Sequence, residues 1–112
     1  MEITIEKKDK IMHVNIKGDL YLNTLKDFEA GWSDFIKGDP EIIAINCKDI
    51  VFIDSSALGS LAQLLKYLMG KNIKLVFYDL SIAVDNIFKL TRLDKFFKVT
   101  TKEQLQREYE RG

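Results

Sequence analysis

Residues 42–53 carry two apolar runs, Ile42-Ile43-Ala44-Ile45 and Ile50-Val51-Phe52-Ile53, with almost no alternation between apolar and polar positions. A strand with one wet face alternates with a period of two, whereas a near-continuous apolar run needs cover on both faces. The run therefore predicts a strand in the middle of a sheet, with helices lying over it. The flanking patterns supply the neighbours. Ile3 and Ile5 alternate with polar residues, and after the turn-like residues 7–10 a second alternation sets Ile11, His13 and Asn15 against Met12, Val14 and Ile16, which predicts a hairpin ended by Gly18. Leu22, Leu25, Phe28, Trp32, Phe35 and Ile36 fall at helical spacing and predict a first amphipathic helix with its aromatics in the core. Gly38-Asp39-Pro40 breaks it. A second helix starts at Ser55, carries Leu58, Leu61, Leu64, Leu65 and Leu68, and ends at Gly70 in an expected left-handed cap. Residues 73–78 form a strand, Ser81 caps a helix carrying Ile82, Ile87 and Leu90, residues 96–99 form a short strand, and a terminal helix begins at Thr101. This order predicts an α/β domain spanning residues 1–112, with a mixed sheet, an N-terminal β-hairpin and about four α-helices.

At 112 residues the chain has the size of one domain, too short for separate cofactor and substrate lobes. Lysine plus arginine and aspartate plus glutamate both count 17, so there is no basic excess to hold a phosphate backbone, and direct nucleic-acid binding is not expected. One cysteine, Cys47, permits neither an internal disulfide nor a thiolate metal cluster. Residues 1–9 carry three acids and no apolar stretch, unlike a secretory signal, and no apolar run approaches the roughly 20 residues of a membrane span. A cytoplasmic protein without membrane insertion is expected.

Groups suited to catalysis are few. His13 lies in a predicted strand, and Cys47 follows a buried strand with nothing nearby in sequence to lower its pKa. No phosphate-cradling glycine loop occurs, and Asp19, Asp54, Asp79 and Asp94 fall near element ends, where turn and capping roles prevail. The chain is therefore read as a non-enzyme with no catalytic residue, metal or cofactor.

The informative stretch is Phe52-Ile53-Asp54-Ser55-Ser56-Ala57-Leu58-Gly59, where an apolar run breaks into small polar residues and then into an amphipathic helix. Either Asp54 or Ser55 can cap that helix by accepting hydrogen bonds from its first free amides. Two serines at the positive end of a helix also make a phosphorylation site, because a phosphate there meets unpaired N–H donors and a favourable dipole.

This octapeptide resembles the Asp-Ser-Ser/Thr-Gly-Leu-Gly signature of the STAS domain family, in particular the bacterial anti-sigma factor antagonists. The segment Val14-Asn15-Ile16-Lys17-Gly18-Asp19-Leu20 is similar to the family's early strand and its Gly-acid-aliphatic turn, and Leu90-Thr91-Arg92-Leu93-Asp94-Lys95-Phe96-Phe97 to the segment after its third helix. The resemblance implies a phosphoprotein in which Ser55 is modified by a cognate anti-sigma factor that is itself a serine protein kinase, and restored by a phosphatase. It implies partner switching: the unphosphorylated form binds the anti-sigma factor and frees a sigma factor, and phosphorylation ends that binding. Asp54 would position the acceptor, Ser56 is the adjacent hydroxyl, and Gly59 would let the helix start approach a neighbouring backbone closely. The partner surface expected from it comprises Asp19, Tyr21, Asn23, Asp54, Ser55, Ser56 and Gly59, gathered at one end of the sheet. Tyr21 stands where sporulation-type members often carry aspartate, and Ala57 replaces the signature glycine. Two other classes remain: a STAS subunit acting as a constitutive module in a membrane transport or stress-sensing assembly, and a small enzyme with Ser55 as nucleophile.

Overall fold

The computed structural model describes residues 1–109. A five-stranded sheet is ordered β1 (Glu2–Lys8), β2 (Ile11–Leu20), β3 (Ile42–Ile53), β4 (Lys74–Tyr78) and β5 (Lys98–Thr100). The β1–β2 pair is antiparallel and all other pairs are parallel, so the sheet is mixed, with the hairpin at one edge. Five helices accompany it: α1 (Leu25–Ala30), α2 (Trp32–Phe35), α3 (Ser55–Met69), α4 (Ile82–Leu90) and α5 (Lys102–Tyr109).

The central position of β3 follows from its apolar run. Ile43 and Ile45 point into the larger core, with Met12, Val14, Leu75 and Phe77 of the sheet and Phe28, Leu61, Leu64, Leu68, Val84 and Phe88 of the helices. Ile42 and Ala44 point the other way, onto a smaller core with Ile11, Val76, Tyr78 and Leu105 of α5. The first half of β3 is thus covered on both faces, as its sequence requires. Its second half is not: Val51 and Phe52 are exposed. Two irregularities in the β2–β3 register explain the change. From Asn15↔Asn46 to Lys17↔Asp49, β2 advances two residues while β3 advances three, and from Gly18↔Ile50 to Asp19↔Phe52 β2 advances one while β3 advances two. Each extra residue is a β-bulge that resets which side chains face inward. Cys47, Ile50 and Ile53 are consequently buried at a spacing of three rather than two.

Several local expectations are corrected. Gly18 does not end β2, which continues to Leu20; its φ of +116° sits at the second bulge, and a Cβ there would come within 3.3 Å of the Met1 Cα. The first helix is not one helix. Residues 22–24 form a 3₁₀ turn with Leu22 exposed, and Gly31 divides α1 from α2, its amide reaching back to the Phe28 carbonyl in a tight turn. Phe28 and Phe35 are nevertheless buried, and Trp32 is half-buried, stacked on Tyr67. Gly70 has φ −65°, so it is not left-handed; Asn72 takes φ +59° instead, with Ile73 N–H bonding to the Leu68 carbonyl at 2.9 Å and Asn72 N–H to the Met69 carbonyl. This is a Schellman ending built on asparagine two residues later. In α4 the buried face is Val84 and Phe88, while Ile82 and Leu90 are exposed. The last strand begins two residues later than expected, leaving Phe96 exposed and Phe97 buried.

Candidate functional site

The parallel strands β2, β3 and β4 end on one side of the sheet, and the loops that follow them build the site. Leu20 pairs with Ile53, so the two chain segments leaving β2 and β3 start side by side. Asp54 then ties them together. It is the N-cap of α3, with extended backbone, and its Oδ1 accepts the Ala57 amide at 2.9 Å. Its Oδ2 accepts the Leu22 amide at 3.1 Å, and its own amide donates to the Leu20 carbonyl at 3.3 Å. The loop after β2 is further closed by Thr24, whose Oγ1 accepts the Tyr21 amide at 3.1 Å and lies 3.0 Å from the Asp19 carbonyl, to which it donates. Tyr21 turns its ring edge-on to Phe52, with centroids 6.3 Å apart.

Ser55 and Ser56 are the first two residues of α3, and both are exposed. The cap engages the amide of Ala57 through its side chain and that of Leu58 through its carbonyl, which leaves the Ser55 and Ser56 amides at the helix start without an acceptor among the described residues. Asp19, Asn23 and Gly59 are exposed and Tyr21 is half-buried. The structure therefore brings Asp19, Tyr21, Asn23, Asp54, Ser55, Ser56 and Gly59 to the same end of the sheet. Gly59 is a correction: a Cβ built there meets nothing within 4 Å, so no neighbouring backbone of this chain requires glycine at that position.

Sequence reasoning missed two contributors, and part of what a third does. Thr24 was given no role by the sequence, and it holds the loop closed through two backbone groups. Leu22 fitted the helical spacing and is instead 66% exposed beside Asp54. Ser81 was read as a cap, and it does accept the Val84 amide, but its hydroxyl also donates to the Ile50 carbonyl at 2.6 Å and its amide to the Cys47 carbonyl. That contact seals the edge of β3 beyond the end of β4. Only the capping tendency of serine was available as a signal.

The remaining titratable candidates lie elsewhere. His13 pairs with Ala44 within the sheet, its ring edge-on to Tyr78. The buried Cys47 thiol is pushed well up, first by burial and then by the Asp79 charge, so it is held protonated as a core residue. Asp79, at φ +53°, accepts the Lys102 amide at the start of α5. Among the described residues, no three His, Cys, Asp or Glu side chains come together as metal ligands, and no helix is long and apolar enough to cross a membrane.

This arrangement has known counterparts. An anti-sigma factor antagonist from Mycobacterium paratuberculosis superposes with a TM-score of 0.84 at 22% identity, covering 98% of this chain and 94% of that one. The anti-sigma factor antagonist SpoIIAA in its unphosphorylated form aligns with a TM-score of 0.78 at 19% identity, over 99% of each chain. The Bacillus cell fate determinant SpoIIAA in its phosphorylated form aligns at 0.68 and 19% identity, over 92% of this chain and 95% of that one. These likenesses establish the fold, and the sequence match runs over residues 2–106. By that match the chain belongs to the STAS domain family.

Proposed function

We propose that this chain is an anti-sigma factor antagonist switched by phosphorylation of Ser55. In the unphosphorylated form it binds a cognate anti-sigma factor, itself a serine protein kinase, and so releases a sigma factor. The kinase then transfers a phosphoryl group from its own ATP to the Ser55 Oγ, and binding ends until a phosphatase removes it. The chain itself is a cytoplasmic binding module, not an enzyme, and touches no nucleic acid.

The observation that carries this reading is the placement of Ser55. It is exposed at the first position of α3, directly after a capping carboxylate that fastens both the helix start and the loop after β2. A serine so held is presented without unfolding anything. A phosphate there carries about −1.5 to −2 charges and meets free helix amides and the positive helix end, so the fold tolerates it. What changes is the surface offered to a partner. The same fold being known for SpoIIAA in unphosphorylated and phosphorylated forms supports a switch that leaves the architecture in place.

The test is affinity capture from the native cytosol on the unmodified chain and on Ser55→Asp, with the captured proteins identified by mass spectrometry. Recovery of an anti-sigma factor kinase on the unmodified chain alone is expected. Transport-complex subunits held equally by both would overturn the reading in favour of a constitutive module.

A further inference from the structure

The second bulge of β3 has an unusual product. Val51 and Phe52, adjacent in sequence, are both exposed, at 68% and 51%, between buried Ile50 and Ile53. In a regular strand neighbouring side chains take opposite faces, and one of the two would be drawn inward. Bulges beside functional sites re-aim side chains, and this one turns two apolar groups outward, with the Tyr21 ring edge-on to Phe52. Leu22, 66% exposed, lies on the other side of Asp54, joined to it through its amide. Ile82, 82% exposed, follows Ser81, whose hydroxyl is fixed to the Ile50 carbonyl. Asp19 is paired with Phe52 across the strands and forms no ion pair among the described residues. Exposed apolar side chains carried on the segments that leave β2, β3 and β4 at this one end of the sheet point to a contact surface.

We infer that Leu22, Val51, Phe52 and Ile82 are the apolar part of the docking surface, and that they take an apolar patch of the anti-sigma factor bearing a cationic side chain opposite Asp19. This rests on the functional reading above and states what recognition consists of. The surface is continuous with Ser55 through Asp54, so a phosphate on Ser55 sets a strongly hydrated dianion at the rim of an apolar contact. Closing that contact would strip its water, which opposes binding without any change in the fold.

The test is titration of the purified anti-sigma factor kinase with the chain and with five variants, Leu22→Ser, Phe52→Ser, Asp19→Asn, Leu90→Ser and Phe96→Ser. All five side chains are exposed, so the fold survives each change. Leu22→Ser and Phe52→Ser should weaken binding by about tenfold or more, as truncation of an interface anchor does. Asp19→Asn should weaken it less and flatten its salt dependence. Leu90→Ser at the far end of α4 and Phe96→Ser beyond it, equally apolar changes, should leave it unchanged. If the unaltered chain does not bind the kinase, the functional reading fails and this inference with it. If it binds and Leu22→Ser and Phe52→Ser bind equally well, the inference alone is overturned. Self-association of the free chain that Phe52→Ser abolishes would likewise overturn it, by making a second copy the occupant.

Discussion

The Leu22 amide donates to Asp54 Oδ2 at 3.1 Å, while the other oxygen of the same carboxylate holds the Ala57 amide at 2.9 Å. One side chain thereby locks together two segments 32 residues apart in sequence. Everything proposed for Ser55 depends on this clamp, because it fixes where the serine stands relative to the loop carrying Asp19, Tyr21 and Asn23.

Asp54→Ala removes both bonds. A helix cap alone contributes about 1 kcal/mol, and a further hydrogen bond to a charged group about 1.5 kcal/mol, so a loss of about 2.5 kcal/mol is expected in urea denaturation. Asp54→Asn should lose less, since its carbonyl oxygen can still cap Ala57. Amide exchange at Leu22 should accelerate in both variants, and an unaltered rate would show that the clamp does not hold the loop.

Gly59 has open space where a Cβ would be and a backbone that any residue can adopt in a helix. Gly59→Ala should therefore stabilise the free chain by about 0.5–1 kcal/mol, read as a higher denaturation midpoint. If the partner backbone lies against this exposed position, the same variant binds the anti-sigma factor more weakly. A variant that is more stable and binds worse assigns Gly59 to recognition; one that is more stable and binds equally removes it from the surface.

At the opposite face α5 is fastened by Tyr109, whose hydroxyl lies 2.6 Å from Lys98 Nζ and 3.2 Å from Lys74 Nζ. The Lys98 hydrogen bond favours the phenolate and pulls the Tyr109 phenol below its ordinary value of 10.0, and the same bond raises Lys98 above 10.5. A depressed acid is favoured by folding once it ionises, so this contribution grows as pH rises through the Tyr109 value and is fully present above 10.0. The raised Lys98 contributes below 10.5 and is lost as pH climbs through its folded value. The stability difference between the chain and Tyr109→Phe should therefore widen from neutral pH towards the alkaline end, then shrink as Lys98 deprotonates. Spectrophotometric titration should find Tyr109 ionising below 10.0, and Lys98→Met should return it upward; no shift on that substitution would dissociate the pair.

What could be read in the sequence is what local chemistry dictates. Asp54 before two serines and a leucine-rich helix announces a cap, and Ile42 to Ile45 cannot avoid a doubly covered strand. What could not be read depends on pairing between distant segments. The bulges of β3 exist only against β2, and with them the exposure of Val51 and Phe52 and the burial of Ile50 and Ile53 at a spacing of three. Leu22 keeps helical spacing with Leu25, yet the Asp54 carboxylate draws its backbone into a 3₁₀ turn and its side chain stays outside. In α4, Ile82 with Leu90 and Val84 with Phe88 are both acceptable apolar pairs, and only the aromatic neighbours Phe77 and Phe97 select the second.

The most direct test of the account is incubation of the chain with the purified anti-sigma factor kinase and ATP, followed by mass-spectrometric localisation of the phosphate and a binding measurement on the product. One phosphate on Ser55 is expected, none on Ser55→Ala, and loss of the complex on modification while Ser55→Ala stays bound. Phosphate on Ser56 alone, or a complex that survives phosphorylation of Ser55, would contradict it.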